Sequence, residues 1–381
     1  PKQYVWTHSS PCFQGAGADE PICAFTDTNF AEGRGISLVT TARRASYLAT
    51  TPPLTDPDVV KGINQDLNRT IRARYEMREI PGKGMGLIAT EHIMRGDPIM
   101  ANTASLMIDY RAFNELSRPE YTGLQAHAVA NLDRAHQTIL LNLSSHDPAA
   151  AQTLPLTDLI DKIAATNGFD IDPSDDDPDQ HNSYFVLFPE IARMNHDCRP
   201  NAEYLFDHAT LSQSIHAARD ISPGEELTLS YINPLMTRAQ RMAKLKKNWG
   251  FDCSCPSCSV ENKSRAEESD ARIRQIGMIK GEMGDWGGGS RASPEMAELL
   301  VALYEMERLW GSLYEAYTLA ALEYNAVGDA WTAVKYGRMG VEWAIPMVGE
   351  GDDDVTELRA LVEDPWGHWS WERRVSGQEG K

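Results

Sequence analysis

Met194-Asn195-His196-Asp197-Cys198-Arg199-Pro200-Asn201 and, well downstream, Phe251-Asp252-Cys253-Ser254-Cys255-Pro256-Ser257-Cys258 carry most of the information in this chain. Three cysteines so closely spaced call for a metal. A structural zinc takes four ligands in a tetrahedron, usually Cys or His. The trio is one ligand short, and Cys198 is the candidate for the fourth. A metal shared by Cys198, Cys253, Cys255 and Cys258 ties a late loop to the segment of Asn195 and His196. A closed pocket is expected there.

The 381 residues suffice for two or three domains with a sizeable core. No apolar run reaches the roughly 18 residues of a membrane span. A net charge of -19 speaks against a general nucleic-acid binder, whose phosphate contacts need clustered Lys and Arg. It suits a lysine-rich peptide, although solubility alone accounts for it too. Four zinc thiolates favour a reducing compartment, nuclear or cytoplasmic. The remaining pair, Cys12 and Cys23, would favour the secretory route if it closes a disulfide. The chain starts at Pro1 rather than Met, so residues upstream are expected, and a removed signal peptide fits that start. Asn68, Asn142 and Asn262 begin three-residue glycosylation patterns of a kind that recurs by chance. The Lys244 to Lys247 segment is too thin for a nuclear-localisation cluster.

Glycine and proline punctuation divides the rest. Residues 1–70 are rich in small and turn residues, with one strand-like piece at Gly35 to Thr40. Short strands are expected over 71–108 and 184–232. Residues 111–167 carry helical spacing, with apolar positions at Ile139, Leu140, Leu141, Leu143, Leu159, Ile160 and Ile163. The acidic run Asp170 to Asp179 predicts a solvated loop, since it lacks the glycine and terminal glutamate of a calcium loop. Met236 to Asn248 predicts a basic helix. Glu261 to Arg291 is polar and ends in a linker-like Gly287-Gly288-Gly289. From Ser293 the pattern is helical, and Tyr314 to Trp343 predicts one helix–turn–helix unit of tetratricopeptide type.

Four separated segments, in order, resemble the SET-domain protein lysine methyltransferases, specifically the SET-and-MYND branch without its MYND zinc module. They are Gly82-Lys83-Gly84-Met85-Gly86-Leu87, Asn195 to Asn201, Gly224-Glu225-Glu226-Leu227-Thr228-Leu229-Ser230-Tyr231, and Phe251 to Cys258. A similar stretch, Glu32-Gly33-Arg34-Gly35, is read as a structural strand-turn. The resemblance implies that Lys83, Gly84, Met85, Gly86, Asn195, His196, Tyr231 and Phe251 bind S-adenosylmethionine. It implies that Tyr231 is the catalytic residue and Asn201 a structural one. Trp249 is a second candidate for the role of Phe251. The chain departs from the family with Ser230 where many members have Asp, and with Asp197 where Ser is usual.

The expected fold class is α+β, a SET-domain β-clip with a knot-like crossing, a post-SET zinc loop and a helical C-terminal domain. Expected bounds are 1–70 for an N-terminal extension and 71–235 for the SET domain, with a helical insertion at about 110–180. The zinc segment follows at 236–265 and the helical domain at 266–381. The expected activity is transfer of a methyl group to a lysine of a histone or non-histone protein. Zinc is expected to be structural, and the protein monomeric, with neither nucleic acid nor membrane as partner. Two rivals remain: a SET-fold methyltransferase on another substrate, such as a small molecule in the secretory route, and a degenerate SET protein serving as a scaffold.

Overall fold

The computed structural model describes residues 5–17, 19–64, 74–146, 149–259 and 263–375. In chain order the strands are β1 His8–Phe13, β2 Ile22–Asp27, β3 Ile36–Thr41, β4 Tyr75–Ile80, β5 Gly84–Ala89, β6 Pro98–Thr103, β7 Leu106–Asp109, β8 Gly168–Ile171, β9 Tyr184–Leu187, β10 Asn195–His196, β11 Ala202–Asp207, β12 Ser212–Ala217 and β13 Glu226–Leu229. The helices used below are α1 Ala42–Leu48, α2 Tyr110–Glu115, α3 Arg118–Ala130, α4 Arg134–Leu141, α5 Leu156–Asn167, α6 Arg238–Trp249, α7 Lys263–Gly284, α8 Pro294–Met306, α9 Leu313–Ala326, α10 Ala330–Val348 and α11 Asp353–Glu363. The mixed α+β composition and the helical C-terminal region agree with the sequence. The Asn68 pattern and the start of the Asn262 pattern lie outside the described residues.

The chain forms two compact units, one of residues 1–73, 100–194 and 206–215, the other of 74–99, 195–205 and 216–381. In the first, six strands form one sheet in the order β1-β2-β3-β7-β9-β8. Ile22, Val39, Leu106 and Ile108 of this sheet pack with Leu124, Leu140, Ile160 and Ile163 of helices α3 to α5. The helical spacing read over 111–167 is therefore a core-facing pattern, although Ile139 itself points to solvent. Among the described residues of the first seventy there are three strands rather than one. β2 was hidden because it is buried along nearly its whole length and so lacks the alternation that marks a half-buried strand. Cys12 and Cys23 face each other across β1 and β2 and are joined by a disulfide.

The acidic run is a correction to the sequence reading. Its Asp177 is buried, and it accepts from Arg44 Nε at 3.0 Å and Nη2 at 3.1 Å, and from the Tyr184 hydroxyl at 3.1 Å. Arg44 Nη1 also meets Asp109 at 2.8 Å. A buried cation needs such partners, and they were too distant in sequence to give a local signal.

In the second unit the sheet order is β10-β13-β5-β4. β4 and β5 form a hairpin whose turn holds Gly82 and Gly84 at φ +76° and +77°, a region that favours glycine. β13 lies between two partners. It runs antiparallel to β5, with Leu227 opposite Leu87, and parallel to β10, with Asn195 opposite Thr228. A further three-stranded sheet has the order β11-β12-β6.

Helices α7 to α11 share a core of Ile276, Leu300, Tyr304, Ala316, Ala320, Ala333, Leu358 and Leu361. α9 and α10 form the expected helix–turn–helix. The polar stretch before the glycine run forms the 22-residue α7, which falls almost wholly within the expected helical domain. Its buried face consists of Ile273, Ile276, Ile279 and Met283 alone, a stripe thin enough to vanish in the average polarity.

Glu203 of β11 packs against Gly311, where a Cβ would overlap its carboxylate. Burial raises the Glu203 pKa to about 7. The folded protein thus holds a proton there between about pH 4.5 and 7 that the unfolded chain has released, and stability falls as pH rises through that window. Glu203→Gln is expected to remove this loss, up to about 3 kcal/mol at pH 8, and to change little at pH 4.5. Urea unfolding of both proteins at the two pH values checks it.

Candidate active site and thiolate cluster

Every residue named from the sequence for the cofactor, catalysis or the metal falls in the second unit. The turn Gly82-Lys83-Gly84 presents open space beside Gly84, where an added Cβ would touch nothing within 4 Å. Gly86 is different, since a Cβ there would lie 2.7 Å from Asn195 Nδ2 and 3.1 Å from Glu226 Oε1. Asn195 reaches across through this gap. Its Nδ2 donates to Glu226 Oε1 at 2.9 Å and to the Met85 carbonyl at 3.3 Å. Lys83 Nζ donates to Glu226 Oε2 at 2.6 Å.

His196 is buried, and both of its ring nitrogens are engaged within the protein. Nδ1 accepts the Tyr231 backbone N–H at 3.1 Å, so the proton belongs on Nε2, which lies 3.3 Å from Cys198 Sγ. Burial pushes the His196 pKa down to about 4. The ring is therefore a neutral donor to the sulfur, not a base. Asn201 bridges to β13 in the manner of a strand, accepting from Thr228 N at 2.9 Å and donating to the Glu226 carbonyl at 2.9 Å.

Cys198, Cys253, Cys255 and Cys258 are all buried, and their sulfurs lie within 4.8 Å of one another. Cys198 Sγ is 3.9 Å from Cys253 Sγ and 3.5 Å from Cys258 Sγ. A tetrahedron with metal–sulfur bonds of about 2.3 Å has edges of about 3.8 Å, so the four sulfurs fit a zinc-sized ion. The local chain explains the approach. A capping box of Thr237 and Gln240 starts α6, and left-handed Gly250 at φ +75° stops it. The chain then turns straight into Phe251 and the three cysteines.

Tyr231, Trp249 and Phe251 gather near His196 and pack against the cysteine cluster. The Tyr231 ring centroid is 5.3 Å from that of His196 and 5.5 Å from that of Trp249, and Phe251 lies 6.2 Å from His196. The sequence left Phe251 and Trp249 as alternatives; both join this group. Burial, reinforced by the Glu226 charge, raises the Tyr231 pKa well above its ordinary value. The hydroxyl therefore keeps its proton at neutral pH.

Three participants escaped the sequence reading. Arg241 is fully buried on α6. Burial alone would lower its pKa, but the Cys198 and Cys258 sulfurs more than offset this. Its only signal was its place four residues before buried Leu245 on the same helix face. Glu226 was quoted within a motif but given no role. Glu307 accepts from Arg199 Nη2 at 2.7 Å, Arg272 Nε at 2.7 Å and Ser269 Oγ at 2.8 Å. Arg199 Nη1 also donates to the Cys198 carbonyl at 2.8 Å. Helices α7 and α8 are thus wired to the residue beside a cluster cysteine.

Residues 84–232 match the family model of the SET domain. Over this stretch the chain matches the SET domain, and it resembles the SET-domain lysine methyltransferases. Histone-lysine N-methyltransferase set5 of Schizosaccharomyces pombe is 26% identical over 302 residues, 77% of this chain and 85% of that protein. N-lysine methyltransferase SMYD2-B of Danio rerio is 33% identical over 96 residues, 25% of this chain and 21% of that protein. Histone-lysine N-methyltransferase SMYD3 of Homo sapiens is 39% identical over 77 residues, 20% of this chain and 18% of that protein.

Arg199 and Glu307 side chains are 3% and 5% exposed. Removing one partner of such a pair strands the other charge. Glu307→Ala is expected to cost about 3–5 kcal/mol of unfolding free energy in urea, and Arg199→Ala with Glu307→Ala together less than the sum of the two singles. Strictly additive losses would show that the pair is not coupled.

Proposed function

We propose that this protein is an S-adenosylmethionine-dependent protein-lysine N-methyltransferase, with a histone or another lysine-rich protein as substrate. The observation that carries the reading is the meeting, in one sheet and its flanks, of a glycine turn, Asn195-His196, Tyr231 and four thiolates. The names of the yeast and human relatives support a histone as one substrate, and the net charge of -19 suits a basic one.

The donor set suits the cofactor. Lys83 and the open backbone at Gly84 and Met85 suit its amino-acid end, Asn195 and the His196 backbone its flank, and Phe251 or Trp249 a flat ring. S-adenosylmethionine supplies a methyl group made electrophilic by a sulfonium. The protein's part is alignment and polarity. Tyr231 stays protonated, so its oxygen orients and stabilises rather than takes a proton. The substrate lysine, ordinarily near pKa ~10.4, loses its proton more readily once desolvated in an apolar channel. No protein base is assigned.

Cys198, Cys253, Cys255 and Cys258 would hold zinc. Four sulfur ligands leave no open position, so the metal's contribution is structural, ordering a post-SET loop over the pocket. The knot-like crossing belongs to the same proposal, supported by the Asn201 bridges to β13. The proposed organisation is an N-terminal segment, a SET domain with a helical insertion, the zinc segment and a helical C-terminal domain. Thiolates that must stay reduced support nuclear or cytoplasmic residence, whereas the Cys12–Cys23 disulfide supports the secretory route.

Tyr231→Phe is expected to lower turnover of a lysine peptide about a hundredfold while S-adenosylmethionine affinity changes less than about threefold. Mass spectrometry of the methylated peptide and calorimetry with the cofactor read the two effects. Full activity in the variant would remove Tyr231 from the mechanism.

A further inference from the structure

Glu226 holds two residues of the proposed cofactor pocket at once. One oxygen takes Lys83 Nζ at 2.6 Å, the other Asn195 Nδ2 at 2.9 Å. The pair of side chains is only partly exposed, Lys83 at 27% and Glu226 at 17%, so the charge is not simply dissipated in water. The Asn195 amide has one orientation compatible with its neighbours, because Glu226 Oε1 and the Met85 carbonyl both face Nδ2 and both are acceptors. Among the described residues no hydrogen bond is made by Asn195 Oδ1, which stays available as an acceptor. Glycine at position 86 is what lets the two side chains meet, since a Cβ would press on both. The backbone of Glu226 is pinned as well, through Asn201.

We propose that Glu226 is a positioning residue that sets the polarity of the pocket toward the amino-acid end of S-adenosylmethionine. It fixes the Asn195 amide so that an oxygen, not an NH2 group, is offered to the ligand's α-ammonium. It also anchors Lys83, whose remaining N–H groups suit the ligand's carboxylate. The inference rests on the methyltransferase reading but assigns a role to a residue outside the expected cofactor set. It separates recognition of the amino-acid end, which depends on Glu226, from recognition of the nucleoside, which does not.

The test is calorimetry of wild type, Glu226→Gln and Glu226→Asp with three ligands: S-adenosylmethionine, S-adenosylhomocysteine and 5′-methylthioadenosine, which lacks the amino-acid end. Glu226→Gln removes the charge and lets the facing amides flip. Its affinity for the first two ligands is expected to fall about tenfold or more, the scale of a lost charge-assisted hydrogen bond. Its affinity for methylthioadenosine is expected to stay within about twofold. Glu226→Asp keeps the charge and is expected to recover part of the loss. In turnover assays the KM for S-adenosylmethionine is expected to rise more than kcat falls. Equal losses for all three ligands would show a merely structural role and overturn the proposal, as would unchanged affinities. If wild type bound none of the three, the methyltransferase reading itself would fall and take the inference with it.

Discussion

Four cysteine sulfurs lie buried within 4.8 Å of one another, and no fold tolerates four thiolates so placed without compensating charge. The neighbours are arranged for that demand. Arg241 is buried beside them, and His196 turns its N–H toward Cys198. Such groups around a metal orient its ligands and tune their basicity. Because His196 also accepts the Tyr231 backbone N–H, the electrostatics of the cluster reach the proposed catalytic tyrosine through one ring. A proton added to His196 would break that link, and burial keeps the ring neutral until about pH 4.

The same strand carries constraint in the opposite direction. Asn195 and His196 are successive residues of β10, so their side chains leave it on opposite faces. One reaches Glu226 and the glycine turn; the other reaches the sulfur cluster. β13 registers both, with Thr228 and Leu229 opposite them. A shift of one residue would exchange the two faces and lose both sites together. The helical C-terminal region adds a third fixed point through Arg199 and Glu307, so it is part of the framework of the site rather than an appendage.

Much of this was legible in the sequence because short motifs report local geometry. The three cysteines, the Gly82-Lys83-Gly84 turn and the Tyr231 segment are compact and ordered, and all lie in the second unit. What escaped depends on contacts between residues far apart in the chain. Glu307 is one acid at the C-terminal cap of an ordinary helix until Arg199 is seen against it. Asp177 sits in a run of acids that looks solvated until Arg44 is found beneath it. Arg241 belongs to a helix whose lysines, Lys244, Lys246 and Lys247, are exposed. Ion pairs of this kind leave no periodic trace, whereas burying a charge without one is too costly to occur. β2 escaped for another reason: it is too uniformly buried to show the expected period.

The central claim is that a metal held by Cys198, Cys253, Cys255 and Cys258 keeps the Asn195-His196 strand in place to receive the cofactor. The most direct measurement is S-adenosylmethionine affinity, by calorimetry, as bound metal is removed by a chelator and then restored as zinc, with metal content read in parallel. The account predicts one metal per chain, loss of cofactor binding in step with loss of metal, and recovery on adding zinc. Metal-free protein that remains folded and binds S-adenosylmethionine with undiminished affinity would contradict it.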